Sequence, residues 1–259
     1  MQKTPISHIE NLPPQLAKIT EGAQVFDSSC SNAARVYYID RDGGYYLKTA
    51  AKGTLARQKL MTDFFAERGL TAPVLDYIGT DRDWLLMQAV KGDDCIAESC
   101  LGDPDRLCDT LAEIMLKLHS MPVDACPNPS RTEEYLRDVE SGYRSGNFYT
   151  RDIGAFGITD CEQAYRLVAD NRNLFEQNCL IHGDFCLPNI MLDNWRFSGF
   201  IDLDHAGVGD KHIDIYWVLW SLRFNLKTDS FSERFMQAYG KNRINTDMLR
   251  IIAAAEAFG

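Results

Sequence analysis

Residues 182–189 read His-Gly-Asp-Phe-Cys-Leu-Pro-Asn, which sets His182, Asp184 and Asn189 in the frame H-x-D-x-x-x-x-N. Phosphoryl-transfer loops use this spacing: the Asp accepts the proton of an attacking hydroxyl, and the Asn helps to hold a magnesium ion. Thirteen residues after Asn189, the apolar segment Gly-Phe-Ile ends in Asp202. A carboxylate there supplies a second hard oxygen ligand, and one Asp with one Asn and nucleotide phosphates suffices for Mg2+. Taken singly, each residue has a structural alternative. A lone histidine is commonly a hydrogen-bonded core residue, Pro188-Asn189 is also turn chemistry, and so short a frame recurs by chance. Asp202 weighs against chance, because an apolar strand has little other reason to end on an acid.

Such chemistry also needs a cation on the nucleotide phosphates. Lys48 ends the segment YYLK and follows the small, polar loop SSCSNAARV at 28–36. Backbone N–H groups of that loop and the Ser31 hydroxyl suit a phosphate. Alone, Lys48 reads as a surface lysine with a buried stem. In order along the chain, however, stand a polar loop, a strand lysine, an apolar strand, the H-x-D-x-x-x-x-N frame and a strand-end aspartate.

The elements that must position these residues are partly legible. VYYI (36–39) and YYLK (45–48) flank Asp42-Gly43, a strong hairpin signal. Between Gly53 and Gly69, the pairs Leu60/Phe64 and Met61/Phe65 recur at helical spacing, with Gly69 at the C-cap. WLLMQAV (84–90) predicts a buried strand. From Pro104 the pattern turns helical, with Leu107, Leu111, Ile114, Met115 and Leu118 on one face. Asp214 to Phe224 is apolar almost all round and predicts a core helix, whereas 141–159, Gly-rich and aromatic, predicts a loop excursion. The expected class is α+β, with a small β-rich N-terminal lobe (1–90) and a larger, mainly helical C-terminal lobe (91–259) joined near Val90–Asp94.

Composition narrows the function classes. The 259 residues carry a net charge of −10, from 27 basic and 37 acidic side chains. That balance excludes a general nucleic-acid binder, which needs clustered Lys and Arg, and suits a cationic substrate as well as plain solubility. The eight cysteines form no C-x-x-C pair and no metal-like spacing with histidine. The N-terminal stretch lacks a signal-peptide run, and the longest strictly apolar run, Ile215 to Trp220, is far too short to span a bilayer. A soluble, cytoplasmic protein without membrane contact, monomeric or a weak dimer, is expected.

The segments HGDFCLPNIMLDN, SGFIDLDHAGVGDKHIDI and RDWLLMQAVKGDD resemble signatures of the aminoglycoside phosphotransferases, and within them of the 3′-phosphotransferases (kanamycin kinases). The resemblance runs from about Phe26 to Phe258. It implies a protein-kinase-like two-lobed fold that binds ATP with Mg2+ and phosphorylates an aminoglycoside, a small molecule bearing several ammonium groups. Residue by residue, it implies Asp184 as catalytic, Asn189 and Asp202 as magnesium ligands, and Lys48 and Ser31 on the ATP phosphates. It further implies Tyr46 on the adenine face, Gln88 and Val90 as the hinge that reads the adenine edge, and Glu256 and Phe258 as the substrate-binding tail. Asp152, Asp160 and Glu162 are the further acidic candidates for the substrate's ammonium groups.

Departures from the family pattern cluster near these sites. Ala255 stands where the tail usually has Asp, and Gly259 extends past the usual terminal aromatic. Gln58 occupies the position of the helix Glu that pairs with the strand lysine; its amide loses the charge-assisted part of that bond. Asp204 and His205 replace a usual Gly and a frequent Arg. Two other readings therefore stand beside the first: a kinase of another small hydroxyl metabolite such as choline, homoserine or a sugar, and a nucleotide-binding kinase fold without turnover.

Overall fold

The computed structural model describes residues 3–30, 33–150 and 153–259. The chain forms two compact units, Met1–Asp94 with Ile190–Asp204, and Cys95–Asn189 with His205–Gly259. The N-terminal unit thus takes in a later piece of chain, which the 1–90 and 91–259 division drawn from chain order does not contain.

The first unit is built on a six-stranded antiparallel sheet in the order Thr4–Ile6, Gln24–Asp27, Arg35–Asp40, Tyr45–Ala51, Arg82–Gln88, Val74–Gly79. The hairpin predicted around Asp42-Gly43 is present, with Ile39 opposite Tyr45 and Val36 opposite Lys48. Asp42, Gly43 and Gly44 all take positive φ, which is why a Gly pair follows the Asp. Period-two alternation divides the sheet's faces. Leu47 joins Tyr37, Ile39, Trp84 and Leu86 in one core, whereas Ala50 and Leu85 pack with Leu55 in another. Lys48 and Tyr46, two apart, share the face of Ala50. The predicted helix spans Ala56–Ala66, and Gly69 follows it at φ +67°. Met61, Phe64 and Phe65 are buried, while Leu60 is 49% exposed, so the Leu60/Phe64 spacing marks only half a core stripe. A smaller sheet, Asp93–Asp94, Ile190–Asp193 and Arg196–Phe200, completes this unit.

The second unit is mainly helical. Helix Pro104–His119 is capped by Asp103, whose carboxylate accepts from Arg106 N, and it buries the five predicted apolar positions. Each such side chain contributes roughly 1.5–3 kcal/mol when fully buried. Helix Lys211–Leu226 extends the predicted core helix by a turn at its start, because Asp210 caps it through the His212 N–H. The 141–159 region is not all loop: helix Arg131–Arg144 runs into it, and a short 3-10 turn covers Ile153–Phe156. Among the described residues no helix is long and apolar enough to cross a membrane.

Candidate active site

In the first unit the strand lysine and the strand-end aspartate meet. Strand Arg196–Phe200 is pinned at its end by Phe200 N donating to Leu70 O (2.8 Å) and Thr71 Oγ1 donating to Phe200 O (2.6 Å). Two residues on, Asp202 adopts φ +58°, a left-handed conformation rare for a side-chain-bearing residue. Strain of this kind concentrates at functional sites. Lys48 Nζ lies 2.8 Å from Asp202 Oδ1, and Gln58 Nε2 donates to the same oxygen at 3.4 Å. Gln58 is 2% exposed, and its Oε1 is buried without a hydrogen-bond partner. The departure at position 58 is therefore at the site itself.

Tyr46 presents a neutral ring on the Lys48 face. Burial pushes its phenol up to about 12, with Tyr38 and the Asp94 carboxylate adding to the effect. Gln88 donates its side-chain amide to Gly44 O at 2.7 Å and its backbone N–H to Pro73 O at 3.1 Å. Val90 packs against Gly199, where an added Cβ would stand 3.0 Å from the valine Cγ1. Ser31 and Asp152 lie outside the described residues.

In the second unit the catalytic-loop frame is locked by a residue the motif does not contain. Strand Cys179–Ile181 pairs with Gly207–Gly209 and leads into the loop. There, the fully buried Asp214 accepts from His182 N (2.9 Å) and Gly183 N (2.7 Å), and His119 Nε2 stands 3.2 Å from it. Gly183 takes φ +82°, and a Cβ on it would sit 2.0 Å from His205 O, so only glycine fits before Asp184. Asn189 Nδ2 donates to Asp184 Oδ2 (2.8 Å) and to Asp184 O (3.0 Å). Both amide hydrogens are thereby used, which leaves Asn189 Oδ1 an oxygen of the kind that could hold a hard cation. His182 is fully buried and its Nδ1 accepts from Asp184 N (3.3 Å), a structural role rather than that of a proton carrier.

Asp184 opens on a cavity of about 450 Å3 whose walls include Arg131, Tyr135, Asp138, Trp217, Trp220 and Glu256. Tyr135 OH donates to Glu256 Oε1 at 2.7 Å. Burial raises the Glu256 carboxyl to about 7, against hydrogen bonds from Tyr135 and Trp217 that favour its charge. Arg131 is tied down within the protein: Nε donates to His205 O (2.9 Å), and its guanidinium faces Asp138 (3.5 Å) and Glu134 (3.9 Å).

The structure thus brings Asp184, Asn189 and Glu256 together, and separately Lys48 and Asp202. It does not bring Asp160 or Glu162 to the cavity. Asp160 caps helix Cys161–Asp170 by accepting from Gln163 N, and Glu162 is held by Arg166 (2.7 Å) and Tyr143 OH (2.7 Å). Phe258, 2% exposed, is boxed in by Tyr143, Phe148 and Tyr165 and is not among the residues that line the cavity. Sequence reasoning missed Asp214, Trp217 and Trp220. An acid at the head of an otherwise apolar helix was the signal for Asp214; for the tryptophans, apolar character all round hid which face meets the cavity.

Comparison with known proteins gives the chain's family and fold. The family model described as "Phosphotransferase enzyme family" matches residues 23–252. A Lactococcus lactis protein named "Probable aminoglycoside 3'-phosphotransferase" is 41% identical over 253 residues, covering 97% of each chain. Among solved structures, an aminoglycoside-3'-phosphotransferase of type VIII superposes with TM-score 0.73 at 22% identity, over 92% of this chain and 94% of that one. An aminoglycoside phosphotransferase from Streptomyces rimosus, in complex with ADP and streptomycin, gives 0.67 at 20% identity over 85% and 90%. The kinase-like fold expected from sequence is the fold these share, and the chain belongs to the phosphotransferase enzyme family.

Proposed function

We propose that this protein transfers the γ-phosphoryl group of ATP to the 3′ hydroxyl of an aminoglycoside and so confers resistance to it. The observation that carries the reading is the setting of Asp184: its carboxylate faces a cavity large enough for a sugar ring, on a loop immobilised by Asp214 and Asn189. The 3′-phosphotransferase name of the Lactococcus lactis relative supports the acceptor and its regiochemistry.

In the reaction the acceptor oxygen bonds to the γ-phosphorus as the bond to the bridging oxygen breaks, and ADP leaves with that electron pair. Asp184 orients the hydroxyl and takes its proton. The transition state is loose, so positioning and charge neutralisation provide most of the acceleration. Lys48 meets the α/β-phosphates after giving up Asp202, Ser31 and its loop backbone cover them, and Tyr46 stacks its neutral ring on adenine. Gln88 and Val90 supply the hinge backbone.

Asn189 Oδ1 and the Asp202 carboxylate are oxygen donors of the kind Mg2+ takes, and the described residues hold no cluster of three or more His, Cys, Asp or Glu that would form an all-protein metal cage. When bound, Mg2+ neutralises phosphate charge. Glu256 holds an acceptor ammonium through a charge-assisted bond of about 1.5–3 kcal/mol. Cytoplasmic placement, where ATP is available and the eight cysteines stay as free thiols, belongs to the same reading.

A coupled ADP-release assay with Mg·ATP tests it, comparing kanamycin, neomycin, gentamicin and choline with no acceptor. Turnover with kanamycin and neomycin, but not with gentamicin, which lacks a 3′ hydroxyl, is expected. Turnover with choline alone would move the protein to another metabolite, and ATP binding without any turnover would make it a non-catalytic kinase fold.

A further inference from the structure

Most of the cavity beside Asp184 is not acidic. Among the described residues three acidic side chains line it, those of Asp138, Asp184 and Glu256. Asp138 faces the Arg131 guanidinium at 3.5 Å, and Asp184 is committed to the reacting hydroxyl. Among the described residues that leaves Glu256 as the acidic side chain for ammonium recognition, against an acceptor that carries several cations. The wall is instead aromatic. Trp217 and Trp220, three apart on helix Lys211–Leu226, line it side by side with ring centroids 5.6 Å apart at 79°. Phe224 backs Trp220 in a parallel stack, 5.0 Å between centroids at 10°, and Tyr216 meets Trp217 edge-on, 5.5 Å between centroids at 74°. Both rings are thereby held in place before any ligand arrives.

We propose that Trp217 and Trp220 determine acceptor specificity, taking an ammonium-bearing aminosugar ring by cation–π and stacking contact beside Glu256. This rests on the aminoglycoside reading above. Tryptophan is the strongest of the aromatic cation acceptors, and a desolvated contact of this kind is comparable with one charge-assisted hydrogen bond. A preorganised ring also loses little entropy on binding. Because an indole attracts any nearby cation, the wall adds to the few acidic side chains that the described residues bring to the cavity, without fixing each amine in one geometry. The neighbouring Ala255, 1% exposed on the same wall, adds only a methyl group.

The test uses kanamycin A with the wild-type chain and with Trp220→Ala, Trp220→Phe and Trp217→Phe. Trp220→Ala is expected to raise the KM for kanamycin roughly tenfold while leaving the KM for ATP unchanged. Trp220→Phe, which keeps a weaker π face, should stay within about threefold. Kanamycin should also perturb tryptophan emission in the wild type, and that response should shrink in both phenylalanine variants. If Trp220→Ala melts within a few degrees of the wild type and its kanamycin KM does not move, the aromatic wall has no part in recognition. Wild-type protein that turns over no aminoglycoside would overturn the underlying reading instead, and the inference with it.

Discussion

Asn189 clamps Asp184 from the same loop: its Nδ2 reaches the carboxylate Oδ2 at 2.8 Å and the backbone carbonyl at 3.0 Å. The five-residue spacing thus does two things at once. It holds the second carboxylate oxygen still, and it commits the amide nitrogen, leaving the amide oxygen to accept.

Asp184→Asn should therefore lower kcat by roughly 10^2- to 10^4-fold, the usual worth of a positioned general base. Nucleotide affinity should hardly change, since the amide keeps the shape of the side chain. Rapid-quench measurement of phosphoryl transfer, with calorimetric titration of Mg·ATP, separates the two effects. Unchanged turnover would remove Asp184 from the chemistry.

Asp214 organises the loop from below by accepting two backbone N–H groups, and His119 stands within hydrogen-bonding reach of the same carboxylate. Asp214→Ala strands those donors in a fully buried place, each at about 1–3 kcal/mol. A loss of about 3 kcal/mol should lower the melting temperature by roughly 6–12 °C, with kcat falling as the Asp184 loop loosens. A melting temperature within 2 °C of the wild type would show that the loop does not depend on this carboxylate.

Glu256 makes stability depend on pH in a particular direction. Burial disfavours its charged form and raises the carboxyl from 4.5 to about 7. The folded chain therefore keeps a proton that the unfolded chain has already released between those values. Stability from this group is fully present below pH 4.5 and is lost as pH rises to about 7. Glu256→Gln stays neutral, so it should match the wild type near pH 4 and exceed it at pH 8, by up to ~3 kcal/mol. Melting curves of both proteins across this range provide the check. A difference that stays constant with pH would mean that Glu256 titrates as an ordinary carboxylate. Bound kanamycin should lower the Glu256 value, since an ammonium favours the carboxylate.

How much of this was legible depended on whether a signal was local. The hairpin around Asp42-Gly43, the capped helix from Pro104 and the H-x-D-x-x-x-x-N loop are set by neighbours in sequence, and each stood out. Lys48 and Asp202 each stood out by order along the chain, but their pairing across 154 positions did not, and strand Tyr45–Ala51 runs on past Lys48, where the segment YYLK ends. What stayed hidden was directional. Helix Lys211–Leu226 is apolar all round, so periodicity gave no reason to pick out Trp217 and Trp220 as the face that meets a cavity. Asp160 and Glu162 looked like free acids, but one serves its helix as a cap and the other is already paired. Composition counts carboxylates without saying which are spent.

The Lys48–Asp202 pair yields the last prediction. Both Lys48 Nζ and Gln58 Nε2 donate to one oxygen of Asp202, while Gln58 Oε1 is buried without a partner. On the proposed roles, a lysine engaged by Asp202 is withheld from phosphate, and the carboxylate is withheld from Mg2+. In Gln58→Glu the new charge attracts Lys48 and repels Asp202, so the lysine should move to residue 58 and release Asp202. Mg·ATP affinity should tighten severalfold, corresponding to about 1 kcal/mol for a partly buried charged hydrogen bond, and half-saturation by magnesium should fall. Gln58→Ala removes the waiting acceptor and should weaken ATP binding by a similar factor, whereas Asp202→Ala should abolish the magnesium dependence of ATP affinity. Calorimetric titration of ATP with and without magnesium reads all three variants without requiring turnover. If Gln58→Glu binds Mg·ATP no more tightly than the wild type, Lys48 is not held back by Asp202, and the neutral residue at position 58 has no consequence for the nucleotide.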